Sequence, residues 1–199
     1  MEGTTARTAH SAGRHAHELP ASGGALTRLA VDATLHCLTG CAIGEIAGMA
    51  IGTAAGLANG TTVVLSIILA FAFGYTLTGL PLMRAGLPLR RVAGVAFASD
   101  TLSITTMEIV DNAIVLAVPG AMDAGLGTLL FWGSLSFALA IAGVLTVPVN
   151  RWLLARGKGH AAVHETGIHG GPSPRVVGAL AAFAFAFGAG VLVGEFVIG

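Results

Sequence analysis

Long uninterrupted apolar stretches, separated by short breaks rich in Gly, Pro, Asn or Arg, set the pattern of this chain. A helix needs about 20 apolar residues to cross a hydrocarbon core about 30 Å thick. The pattern therefore predicts an all-α integral membrane bundle of about five transmembrane helices, at residues 29–57, 62–83, 92–118, 127–149 and 176–199. The predicted stops are the turn-like Ala58-Asn59-Gly60, then Pro81 with Arg84, then Pro119-Gly120, and finally the breaker-rich Gly170-Gly171-Pro172-Ser173-Pro174. Trp132 and Trp152 bracket the fourth span, as interfacial anchors do. Residues 1–25 are polar and carry no apolar run followed by a small-residue cleavage site, so they read as a flexible cytoplasmic tail. The transmembrane domain then occupies residues 26–199, with its first span acting as an uncleaved signal-anchor.

Composition supports a chain that faces lipid. It is 54% hydrophobic and 10% charged, too few polar side chains to cover a water-facing surface. The lipid bilayer is thus the first expected partner, and a net charge of zero gives no footprint for nucleic acid. All 10 Lys and Arg fall on one side of a five-span layout: Arg7, Arg14 and Arg28, then Arg84, Arg90 and Arg91, then Arg151, Arg156, Lys158 and Arg175. The positive-inside rule then places the protein in the cytoplasmic (inner) membrane, multi-pass, with its N-terminus inside and its C-terminus outside.

The candidate chemistry lies inside two of the spans. The first contains His36, Cys37, Cys41, Glu45 and Met49, interleaved with Gly40, Gly44, Gly48 and Gly52 at every fourth position. At about 100° per residue, Cys37, Cys41, Gly44, Glu45 and Gly48 share one arc of the helix. The glycines form overlapping GxxxG motifs, read as helix packing. Two thiols with His36 or Met49 nearby suit a soft ion such as Cu(I), or Zn(II); the alternative is small buried residues packing a seam. No disulfide is expected between Cys37 and Cys41, since helical neighbours at this spacing stand about 5–6 Å apart at Cβ.

The third span contains Asp100, Met107, Glu108, Asp111 and Asn112, with no Lys or Arg in its core. A charge at mid-bilayer costs about 2.5–3.5 kcal/mol on the insertion scale, so Glu45, Asp100, Glu108 and Asp111 together would cost on the order of 10 kcal/mol if ionised and unpaired. They must be protonated, hydrated or neutralised by a cation, which makes them a cation or proton path or, alternatively, interhelical glue. The stretch from Glu45 to Ile51 also aligns with that from Glu108 to Ile114, and Cys37 then matches Asp100. Such a repeat around a midplane site is a feature of transporters. The seven histidines, His10, His15, His17, His36, His160, His164 and His169, lie on or near the expected cytoplasmic side. They read mostly as solvated loop residues, with a metal-gathering tail as the alternative.

The stretch from His36 to Glu45, of pattern HCxxGCxxGE, resembles a family of small bacterial multi-span membrane proteins classed as a domain of unknown function. That resemblance runs to about the end of the fourth span and implies no activity. The stretch from Glu108 to Asn112 is also similar to acidic-Asn patterns in tellurium-resistance and lysine-exporter-like cation exporters, which implies metal-ion transport. The expected function is a membrane protein that binds and moves a cation, copper, zinc or a proton. No enzyme is expected, because neither Gly-x-Ser-x-Gly nor His-Glu-x-x-His occurs. Two alternatives stand beside it: an accessory subunit that docks a partner through its glycine ladder, and a thiol or metal redox protein. A homo-oligomer fits each of them.

Overall fold

A computed structural model describes residues 22–168 and 172–198. His10, His15, His17 and His169, the tail through residue 21 and the Gly170-Gly171 pair lie outside the described residues. The elements are α1 (Gly23–Ala54), α2 (Asn59–Arg84), α3 (Leu89–Ala117), a 3₁₀ turn (Ala121–Asp123), α4 (Leu129–Leu154), a short α5 (Ala161–His164) and α6 (Pro174–Val193), which ends in a π turn at Gly194–Ile198. No strand occurs among the described residues, so the fold is an all-α helical bundle.

Four of the long helices, α1, α2, α4 and the run Pro174–Ile198, are long and apolar enough to cross a membrane. The fifth, α3, has 29 residues, about 44 Å of helix, so it has the length. It falls short in apolarity because Asp100, Glu108 and Asp111 sit within it. Those three are buried against the other helices, while Leu102, Ile109 and Leu116 on its outer side are exposed. The same division holds elsewhere: Val64, Ile68, Val144 and Phe183 face outward. This is an apolar exterior around a polar interior, the arrangement that lipid favours.

Several boundaries shift from the sequence-based expectation, and each shift has a local cause. The first helix ends at Ala54, short of 57, because Gly56 takes φ +64° and closes a Schellman cap through Leu57 N–H to Gly52 O at 2.9 Å. Gly86 and Gly157 do the same after α2 and α4, through Leu87 to Leu82 O and Lys158 to Leu153 O. The expected turn at Asn59-Gly60 is already the first turn of α2. Pro81 does not end α2, and α4 passes Pro148 and runs five residues beyond the expected 149. Each proline removes one backbone hydrogen bond, and buried Leu82, Asn150, Leu153 and Leu154 hold the last turns in place. Residues 23–25, expected in the tail, are helical.

Helix α1 is the centre of the bundle, packing on α2, α3, α4 and α6. Its closest partner is α2, and the glycine ladder is the reason. A Cβ added at Gly40 would stand 2.5 Å from Gly74 Cα, one at Gly44 would strike the Ala70 backbone, and one at Gly48 would strike Ser66. At Gly52 it would meet Thr62 at 2.5 Å. Thr62, Ser66, Ala70 and Gly74 are themselves four residues apart, so two small-residue ladders interlock within one chain. The ladder is therefore occupied by α2 and is not a docking face for a partner.

Candidate functional site

α1 and α3 run parallel from the same end of the bundle, where the described Lys and Arg collect; we call this the basic end. Cys37 and Asp100 each lie nine residues past the last arginine of their helix, Arg28 and Arg91. Glu45 and Glu108 each lie 17 residues past it. This shared register sets two buried polar layers along the α1–α3 seam, about 12 Å apart at 1.5 Å per residue.

The layer nearer the basic end is built from five elements. Cys37 Sγ on α1 reaches Asp100 Oδ1 on α3 at 3.8 Å. His160, from the turn between α4 and α5, brings Nδ1 to 3.4 Å from the same oxygen. Its ring lies 5.0 Å from that of His36, whose Nε2 is 3.0 Å from Thr78 Oγ1 on α2. Beside them Asn150 on α4 donates to Thr34 Oγ1 at 2.8 Å and accepts from Ser103 Oγ. Asp100 is 1% exposed, and neither its Oδ2 nor His160 Nδ1 makes a hydrogen bond. The ligand atoms of Cys37, Asp100 and His160 all lie within 4.8 Å of one another.

The second layer gathers carboxyls. Glu45 on α1 accepts from Ser66 Oγ on α2 at 3.2 Å and faces Glu108 and Asp111 on α3 closely enough for the three carboxyls to interact. Cys41 lies against Glu108, and Asn112 Nδ2 donates to the Glu108 carbonyl at 2.9 Å. Glu45, Glu108 and Asp111 are all buried, and both Asp111 oxygens lack a hydrogen-bond donor. No Lys, Arg or His lies in this layer among the described residues. Ser66 and Asn112 donate to Glu45 and Glu108, and the remaining carboxyl oxygens, with no base among them, call for protons, water or a cation.

The structure thus brings Glu45, Glu108 and Asp111 together and separates the five residues expected to hold one metal. His36 to Met49 spans 13 residues of α1, about 20 Å, far beyond one ion's coordination shell. Met49 and Met107 are packed in the apolar core with Leu38, Ile104 and Leu139. Cys41 belongs to the carboxyl layer. Asp100, expected on the ion path, stands instead beside Cys37. His160, read from the sequence as a solvated loop residue, is 12% exposed and stands inside the first layer. The sequence reading also missed Ser66, Ser103 and Asn150. The last carried a signal: an amide two residues beyond Pro148 at the end of an apolar run. Asp123, at the far end, accepts from Asn59 at 3.0 Å and ties the 3₁₀ turn to the first turn of α2.

A helical bundle with an apolar exterior and two buried polar layers defines a multi-span membrane protein whose interior is built around ionisable groups. Its family follows from the match over residues 28–159: the chain belongs to the domain of unknown function DUF4396. That match covers α1 to α4 with the connecting turn up to Gly159, and so holds both polar layers except His160. Neither a curated protein nor a solved structure matches the chain.

Proposed function

We propose that this protein resides in the cytoplasmic membrane, binds a cation between α1 and α3, and moves it along their seam in exchange with protons. The observation that carries this reading is the convergence of Glu45, Glu108 and Asp111, from two helices, on one buried layer with no base among them. Buried acids serving only as interhelical glue would each need a hydroxyl or amide partner, and Asp111 has none. The positive-inside rule puts the basic end, and with it the Cys37–Asp100 layer, on the cytoplasmic side and the C-terminus outside. The role is ion movement rather than catalysis, with lipid covering the outer faces of the helices.

The test is purified protein in proteoliposomes carrying an internal pH dye, with a zinc gradient imposed across the membrane. Wild-type vesicles should show proton flux driven by the metal gradient, and Glu108→Gln and Asp111→Asn vesicles should fall to the level of protein-free ones. Equal flux in wild type and both variants would refute a path through this layer.

A further inference from the structure

The carboxyl layer leaves Cys37, Asp100 and His160 unexplained, and these three are organised differently. They offer one sulfur, one oxygen and one nitrogen from α1, α3 and the α4–α5 turn. We infer that they form a site for a divalent transition metal of the zinc class, positioned to load the seam from the basic end. This deepens the function proposed above by naming the ion class and its point of entry.

The geometry supports the assignment. Zinc bound at about 2.0–2.3 Å by tetrahedral ligands holds its donor atoms about 3.3–3.8 Å apart. Cys37 Sγ and Asp100 Oδ1 are 3.8 Å apart, and Asp100 Oδ1 and His160 Nδ1 are 3.4 Å apart. The His160 contact is close enough for an ion pair but makes no hydrogen bond, and Asp100 Oδ2 is likewise free of any. Burying such atoms without partners is costly, and a bound ion would remove that cost.

The fourth position has a candidate source. A cavity of about 30 Å³, enough for a water molecule, adjoins the site on its His160 side, where His36 and Thr78 line it together with the apolar Leu77, Pro81, Val163 and Ile168. Three protein ligands with one exchangeable position suit an ion that must leave again.

The donor set also selects among metals. Cu(I) favours thiolate and thioether sulfur, which would call for Cys37, Cys41 and Met49 together. Cys41 is a turn away against Glu108, and Met49 is packed in the core. Mixed sulfur, nitrogen and oxygen donors fit zinc, with Co(II) as its spectroscopic substitute.

The experiment is Co(II) and Zn(II) titration of the full chain in detergent, read by the thiolate-to-cobalt charge-transfer band and by equilibrium dialysis. The band separates this site from histidines of the N-terminal tail, which supply no sulfur. Wild type should bind one ion with the band. Cys37→Ser should abolish the band, Cys41→Ser should keep it, and His160→Gln should weaken binding by at least the 10–100-fold typical of losing an outer-shell partner. His160 lies in a turn, so its variant tests the site with the helices intact, checked by circular dichroism. Folded wild type without bound metal, a band that survives Cys37→Ser, or affinity indifferent to His160→Gln would each overturn the assignment. Metal bound without flux would leave this site standing and refute transport; flux with no metal at these residues would do the reverse.

Discussion

The interlock of α1 and α2 makes a sharp quantitative prediction at Gly44. A methyl group there would collide with the Ala70 backbone and the Leu69 carbonyl carbon, and backbone cannot swing aside as a flexible side chain can. The two helices would have to separate, carrying Ser66 away from Glu45, which it now bonds at 3.2 Å. Gly94, in α3, provides the control, because nothing lies within 4 Å of a Cβ added there. Gly94→Ala should stabilise by up to about 1 kcal/mol through helix propensity. Gly44→Ala receives the same propensity gain but should lose about 1–3 kcal/mol or more to overpacking. The two alanine variants should thus differ by about that overpacking term, read from reversible unfolding in mixed micelles. The loss must persist at protein dilutions where any oligomer has dissociated, since both ladders belong to one chain. If Gly44→Ala is as stable as Gly94→Ala, or if its defect vanishes on dilution, the intrachain ladder is wrong.

Three further outcomes follow from the buried layers. Asn150→Leu removes one donor and one acceptor at the junction of α1, α3 and α4, and should cost about 1–2 kcal/mol in the same unfolding assay; an unchanged midpoint would remove that junction's structural role. Cys37 and Cys41 are both fully buried, so a membrane-permeant maleimide should label neither in native protein and both after SDS denaturation. Rapid native labelling would contradict the packing of α1. Ser66→Ala removes the hydroxyl that donates to Glu45 Oε1, and should lower stability by about 1 kcal/mol without altering cobalt binding at Cys37. A shift in the cobalt band would show that the two layers are not separate.

Much of this arrangement can be read in the sequence, and the parts that cannot share a cause. The parallel α1–α3 register is visible as the 63-residue offset that sets Cys37 against Asp100 and Glu45 against Glu108. The glycine ladder is equally plain, and so is its complement at Thr62, Ser66, Ala70 and Gly74 once both are compared. Periodicity reports which residues share a helical face, but a shared face extends along the axis. Cys37, Cys41, Glu45 and Met49 are neighbours on a helical wheel, yet their steps of about 6 Å place them in different layers. What completes the first layer comes from elsewhere in the chain. His160 reaches Asp100 because positive φ at Gly157 and Gly159 turns the segment after α4 back into the bundle. No repeat or hydropathy pattern encodes that reversal. Asn150 falls one residue past the expected end of the fourth span at 149, although α4 continues to Leu154.

The inward turn after α4 also has a consequence for time. Ala161 is fully buried and Val163 nearly so, and with His160 they fold in at the basic end, His160 reaching Asp100. On the transport reading proposed above, an ion exchanging at Asp100 from that side would wait for this segment to lift, a motion of the microsecond-to-millisecond kind. An open pore passes ions as fast as they diffuse, and its current rises in proportion to concentration. A seam that waits on such a lift passes them one opening at a time and saturates. If the seam carries ions as proposed, flux through it should follow the kinetics of a turnstile rather than those of a conductor.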